Sequence, residues 1–449
     1  MIKKSLFKIA LPILGILLMN SCANELDSIR PRNQISQDQL SDEDLGKVVN
    51  GVYAAMEEFV FQSYRDGDVK GENFIAGPSF ALNDPMLMTA SSSEVLSLWR
   101  KSYTTLKQVN FLIETYEENQ NKESQLVKTA GGTGYYFRAL IYYNMAIRWG
   151  GVPILRKRTN EVVPISPEGV VWDFILEDLM KAEELLPEFT NKFYVSRAAN
   201  DALLAKTYLS LGNDAKAVEY ADKVIVRTNF ELSKMSEEYA ATFVHNTASR
   251  EIVFALANIR TTGLLLLFQD LNDTDQTWPY APTEECYDNL YADTAEKSND
   301  IRKEAVFSPV DDQRVVKFPN GLPGQFIDND NATQSPIIVT RIAEMHLIKI
   351  EALKNTSGGR QALTSFLEKR YATVTLPTSM SDLEFQNFIL DERHREFYGE
   401  GFRWYDLKRT NRLDLFKSLN GRNYLMYFPI PQNERDLAGY ENYPQNTGY

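Results

Sequence analysis

Cysteine and histidine are both scarce in this chain: two cysteines, Cys22 and Cys286, and three histidines, His245, His346 and His394, in 449 residues. Two cysteines cannot build a disulfide framework. Cys286 is therefore expected to be a buried, inert thiol. The histidine separations give no metal-ligand spacing. H-E-x-x-H, G-x-x-x-x-G-K-[ST] and G-x-S-x-G are absent. Gly132-Thr133-Gly134 is a fragment of a dinucleotide fingerprint, without its third glycine or a preceding strand, and reads as a turn. Positive charge is also short. The formal net charge is -13, and Lys3, Lys4 and Lys8 are the only charged residues before Cys22. A surface this acidic repels phosphate backbones, which argues against a nucleic-acid partner.

Long apolar runs are missing except near the start, where MIKKSLFKIALPILGILLMNSC sets a basic stretch before the run Ile9 to Met19. That is the layout of an export signal over residues 1–21, too short and one-sided for a stop-transfer helix. Cys22 stands where cleavage is expected and a polar tether follows over 22–39, as in a bacterial lipoprotein. Lipidation of Cys22 is expected, with the acyl chains seated in a membrane.

What the chain does have is 43% hydrophobic and 12% aromatic content, enough for a large core. Over 40–259 apolar residues recur at steps of three and four, as in successive amphipathic helices. Tyr136, Leu140, Tyr143 and Ile147 form one stripe before Gly150-Gly151 stops it. Val171, Ile175, Leu179, Ala182 and Leu186 form another between Ser166-Pro167 and Pro187. NDALLAKTYLSLGNDAKAVEYADKVI, from Asn200, has tetratricopeptide-like spacing about a Gly212-Asn213-Asp214 turn. A later stripe holds Ile338, Ile342, Met345, Ile348 and Ala352, followed by a Ser357-Gly358-Gly359 turn. The expected fold is mostly α, tetratricopeptide-like helical repeats with long irregular loop insertions, in one body over 40–449. The segment 260–335 is the loop-rich insertion, 336–449 the C-terminal helical part, and Tyr424 to Tyr449 an irregular strap. Phe59 to Phe80 reads as a further loop.

Capture of a sugar calls for aromatic faces beside amides and charges. Trp278 and Tyr280, next to Gln276 and Asp275, fit best, followed by Tyr64 and Arg65 in the earlier loop. In ERHREFYGEGFRWYDLKRT, the residues Arg393, Glu396, Glu400, Arg403 and Asp406 read either as an anion or substrate site or as a structural charge network, and the network is favoured. Asp328-Asn329-Asp330-Asn331 could offer oxygens to Ca²⁺, but Ala332 breaks the EF-hand pattern. No metal or cofactor is expected. Glycoside hydrolysis needs two suitably separated acids, which keeps a surface hydrolase among the alternatives.

The motifs together resemble the SusD/RagB family of Bacteroides-type outer-membrane lipoproteins. The resemblance rests on Glu392, Arg393, Arg395, Glu396, Glu400, Gly401, Arg403, Trp404, Asp406, Leu407 and Arg409. It extends to YYFRALIYYNMAIRWGGVPIL from Tyr135, RIAEMHLIKIEAL from Arg341, FPIPQNERDL from Phe428 and the closing PQNTGY. It implies a non-enzymatic nutrient-binding lipoprotein facing the cell exterior, which captures oligosaccharide as the lid of a SusC-like TonB-dependent barrel. The same role with oligopeptide cargo, or an adhesin, are the alternatives.

Overall fold

The computed structural model describes residues 42–76, 88–244, 248–258, 280–294, 296–308, 315–318 and 335–449. Residues 47–449 form one unit, and 1–46 another, of which only the start of the first helix is described. Helices dominate. In chain order they begin with α1 (Asp42–Lys70), α2 (Ser93–Glu118), α3 (Gln125–Trp149), α4 (Glu168–Leu185), α5 (Arg197–Ser210) and α6 (Asp214–Ile225). After two short helices, α7 (Ser236–Ala241) and α8 (Glu284–Asn289), and one turn, α9 (Lys303–Val306), come α10 (Ile342–Leu353) and α11 (Ser357–Leu367). The last are α12 (Asp382–Glu396), α13 (Arg403–Arg409) and α14 (Gln432–Ala438).

From α2 to α6 each helix packs on the next, and α6 then packs on α10, which packs on α11. The late pair thus stacks on the tetratricopeptide-like pair across a long stretch of intervening sequence, as expected of repeats that cannot bury their apolar faces alone. α3 lies at the centre: from Ala130 to Trp149 every residue except Asn144 is buried, the signature of a helix covered on all sides. Its glycines make that possible. A Cβ on Gly131 would stand 2.5 Å from the Tyr116 ring, and one on Gly132 2.8 Å from Leu186. Gly132-Thr133-Gly134 is therefore helix interior, where absent side chains let α2 and the end of α4 approach, and not a turn. α3 ends where Gly150 adopts φ 71°. Side-chain caps start α5 and α6, where Ser196 accepts from the Ala199 N–H and Asn213 from that of Lys216.

Among the described residues, four two-stranded antiparallel sheets form: β1 (Phe74–Ala76) with β5 (Tyr280–Pro282), β2 (Val152–Pro153) with β3 (Ile165–Ser166), β4 (Ile252–Leu256) with β7 (Ile337–Arg341), and β6 (Lys297–Asp300) with β8 (Tyr371–Val374), all but β2–β3 joining distant segments. Ile338 belongs to β7, not to the helical stripe that follows it. Ser357-Gly358-Gly359 forms the first turn of α11, capped by Thr356, so the connection sits one step earlier, at Lys354 to Thr356. The terminal strap carries one short helix, α14.

The largest departure concerns Phe59 to Phe80. Helix α1 continues to Lys70 because Met56, Phe59, Val60 and Tyr64 are all buried at helical spacing. The turn-like Asp66-Gly67-Asp68 has a tertiary purpose instead. Asp68 accepts hydrogen bonds from Asn73 Nδ2 at 2.7 Å and from the Gly401 backbone N–H at 2.6 Å.

A buried ionic cluster joins β4, β6, β7, β8 and α12. Glu396 accepts from Arg302 at 2.9 Å, Arg341 at 2.7 Å and Arg370 at 2.9 Å. Arg341 and Arg370 also reach Glu251, and Arg341 shares Glu400 with Lys317. Arg302 contacts Asp300 and Glu392, and Lys297 lies 3.4 Å from Glu392. Cation thus meets carboxylate one for one: Arg302, Arg341, Arg370, Lys297 and Lys317 against Glu251, Asp300, Glu392, Glu396 and Glu400. These contacts hold Glu396 and Glu400 below the ordinary carboxylate range although burial pushes the other way.

Candidate functional site

The two loop-rich stretches singled out for aromatic recognition meet. β1 pairs with β5 in the register Phe74 with Pro282 and Ala76 with Tyr280, and the Thr283 N–H donates to the Asn73 carbonyl at 3.0 Å. Beside this ladder, between α1 and the start of α2, lies a cavity of about 250 Å³ lined by Gln62, Arg65, Asp66, Glu94, Ser97 and Tyr280, among others. Arg65 donates to Asp66 Oδ1 through Nε at 3.1 Å and Nη2 at 3.0 Å, and its side chain stays 27% exposed. The Asp66 carboxylate pulls the guanidinium pKa above its ordinary value. Gln62 Oε1 is buried in this wall with no hydrogen-bond partner among the described residues. A buried amide oxygen without a donor costs about 1–3 kcal/mol, which a ligand hydroxyl would recover.

Arg65 and Tyr280 are brought together here. Tyr64 is not: it is 7% exposed, points to the opposite side of α1 and lines a small internal void with Lys206, Glu344 and Phe402. Burial raises its hydroxyl well above the ordinary value. Tyr64 is therefore a core residue and not a stacking face. Tyr280, 4% exposed, forms part of the wall and is not an open platform. Trp278, Gln276 and Asp275 lie outside the described residues, as do Cys22 and Asp328 to Asn331. Gln62, Glu94 and Ser97 escaped the sequence reading. Gln62 falls one helical step before Arg65 and Asp66, a spacing that points to one face only once the segment is read as helix.

The C-terminal run divides. Arg393 donates to Asp406 at 2.8 Å, and Asp406 also accepts from Arg409 at 2.7 Å. Glu396 and Glu400 are engaged as well, not across helix turns but by the distant Arg302, Arg341, Arg370 and Lys317. Arg403 stands apart. Its Nη1 lies 3.4 Å from the Leu390 carbonyl, and no carboxylate of the described residues is within ion-pair distance of it. It faces instead a second, larger groove of about 840 Å³ with Glu72, Asn289, Asp391, His394 and Arg395. Cys286 lies in that wall, 6% exposed, its thiol pushed up to about 11 by burial, which makes it unreactive near neutral pH. Among the described residues no group of His, Cys, Asp or Glu could hold a metal ion.

Comparison with known proteins bears on what these cavities belong to. A family model described as "Starch-binding associating with outer membrane" matches residues 26–209, and the "SusD family" model matches 312–424, together well over half of the chain. The SusD-like protein P38 of Formosa agariphila is 24% identical, with 91% of this chain and 92% of that protein covered. Among solved structures, a SusD superfamily protein of Bacteroides thetaiotaomicron superposes with a TM-score of 0.75 at 20% identity, covering 91% of this chain and all of the other. A laminarin-binding SusD-like protein superposes with a TM-score of 0.69 at 20% identity, over 91% of this chain and 99% of the other. Matched by family models in both its N-terminal and C-terminal parts, and by SusD-like relatives along nearly its whole length, this chain belongs to the SusD/RagB family.

Proposed function

We propose that this protein is a cell-surface nutrient-binding lipoprotein, anchored through Cys22, that takes an oligosaccharide into the cavity lined by Arg65 and Tyr280. It then acts as the lid of a SusC-like TonB-dependent outer-membrane barrel. The observation that carries this reading is the cavity between α1, α2 and β5, which gathers a guanidinium, two carboxylates, an amide oxygen with no donor among the described residues, a hydroxyl and a tyrosine around one opening. Sugar hydroxyls both donate and accept, and such a mixture of fixed polar groups beside an aromatic edge suits them. The laminarin-binding relative and the outer-membrane description of the family model support carbohydrate as cargo and the outer membrane as the location. The role is binding, without bond cleavage: Asp66 is tied to Arg65, and Glu94 accepts from Ser93 Oγ at 2.9 Å, so both acids have structural partners.

Isothermal titration of the full-length protein in detergent against laminari-oligosaccharides and a panel of other glycans tests the cargo. Binding of at least one glycan without turnover is expected. Binding of oligopeptides alone would transfer the cargo to peptide, and release of reducing ends would make the protein a hydrolase. Cys22→Ser should move the protein out of the membrane fraction.

A further inference from the structure

We propose that the groove between β1, α8, α12 and α13 is a second binding site, and that it takes the carboxylate of an acidic ligand through Arg403. The inference goes beyond the cavity at Arg65 and does not depend on it. It starts from the charge pattern of the C-terminal run. Arg393 and Arg409 are each bound to a carboxylate within 2.8 Å. Arg403 has none among the described residues, although it is only half-exposed and the protein as a whole is strongly acidic. A guanidinium presents five donors in a planar fork, and among the described residues one long contact to the Leu390 carbonyl is its hydrogen bond.

Arg395 adds to this. It lines the same groove and lies 3.7 Å from Glu392; its Nε donates to the Leu290 carbonyl at 2.8 Å, and its Nη1 is buried with no hydrogen-bond partner among the described residues. Glu392 is already matched by Lys297 and Arg302, so Arg395 is positive charge beyond the balanced cluster. His394 precedes Arg395 in sequence and lines the same groove. Its Nε2 is 2.6 Å from Asn73 Oδ1, and burial together with both guanidiniums holds it neutral.

The carboxylates of the groove form no ion pair with either guanidinium, although Asp391 and Glu72 act on Arg403 at longer range. Glu72 accepts from the backbone N–H groups of Lys417 and Ser418 and from the Ser418 hydroxyl. Glu285 is paired with Lys417. Asp391 is exposed and outside ion-pair range of both guanidiniums. Asp391 and Asn289 remain at the rim as acceptor and amide for hydroxyls. Ile75 at 43% and Leu415 at 36% exposure offer apolar surface. At about 840 Å³ the groove falls within the usual ~300–1,000 Å³ of small-ligand sites. A bidentate arginine, hydroxyl partners and an apolar patch together match a uronate sugar. The C-terminal carboxylate of a peptide shares the chemistry that Arg403 would read.

The test is calorimetric titration of the full chain in detergent with trigalacturonate, with its methyl ester, and with a tetrapeptide bearing a free or amidated C-terminus. Trigalacturonate is expected to bind, with at least tenfold loss on esterification or in Arg403→Gln, partial recovery in Arg403→Lys, and an unchanged melting temperature. Should Arg403→Gln unfold early, Asn289→Ala at the exposed rim replaces it, with about fivefold loss expected. An Arg403-dependent response to the free-carboxylate peptide alone would keep the site and assign it the peptide source. Equal affinity in wild type and variant, or no binding of either free carboxylate, overturns the proposal. Arg65→Ala should leave trigalacturonate binding intact, so failure at the first cavity and failure here are read separately.

Discussion

Gly67 on α1 and Gly401 after α12 meet backbone to backbone: a Cβ on Gly67 would stand 2.3 Å from the Gly401 carbonyl oxygen, and one on Gly401 2.8 Å from the Tyr64 Cα. Gly401 has φ 80°, a conformation that favours glycine. The contact locks α1, which carries Gln62 and Arg65, against the segment that carries Glu400 and Arg403. Neither neighbour is a flexible side-chain end, so relief requires backbone movement. Gly67→Ala should destabilise the protein by about 2–4 kcal/mol, measurable by chemical denaturation, whereas Gly46→Ala, with open space around it, should not.

Glu396 is the hub of the buried cluster, and loss of its charge would strand Arg302, Arg341 and Arg370 in a dry interior. Removing one partner of a buried ionic group costs about 3–5 kcal/mol. Glu396→Gln is expected to lower stability by that order. The exposed pair Lys216 and Glu219 is the control, since deletion of a solvent-exposed pair changes stability little. A melting temperature for Glu396→Gln equal to wild type would refute the cluster's structural role.

His346 makes stability fall in acid. Burial, reinforced by the nearby Arg370 and Lys349, brings its imidazole down to about 4 from 6.5. The unfolded chain therefore binds more protons than the folded one between those values, so the contribution is complete above pH 6.5 and is lost as pH drops through 4. Its size, allowing for part exposure, is about 1–3 kcal/mol. Asp68 runs oppositely. Burial raises it from 3.8 to about 7, so its contribution is greatest below pH 4 and is lost as pH rises through 7. His346→Leu should lose less stability than wild type between pH 6.5 and 4.5 in parallel urea titrations.

Tyr64 and Arg65 are adjacent in sequence and opposite in role. Arg65→Ala should weaken glycan binding about tenfold, the loss of a charged hydrogen-bond partner, with little change in melting temperature. Tyr64→Ala should do the reverse, losing about 3–5 kcal/mol of stability as a buried aromatic. Glycan affinity that follows Tyr64 and ignores Arg65 would contradict the site.

The helical body was legible from the chain alone because it is built from local signals. Apolar steps of three and four, Gly150 and Gly212 at helix ends, and the small residues Ala205, Ala217 and Ala221 at packing positions all act within one or two turns. The family pattern around Glu392 to Arg409 was legible for the same reason: its residues are contiguous. What tertiary structure alone decided is which distant groups meet. Glu396 found its partners on β7, just before β8 and in the turn after β6, not on its own helix. Arg403, identical in type and setting to Arg393 in the sequence, was left facing a groove. Glycine was the residue most easily misread. Gly67, Gly131 and Gly132 look like punctuation in one dimension, yet each is a place where another segment comes too close for a side chain. Sequence spacing specifies which face of an element is apolar. Only the packed chain determines what that face touches, because ion pairing and close approach depend on separations in space that no local period encodes.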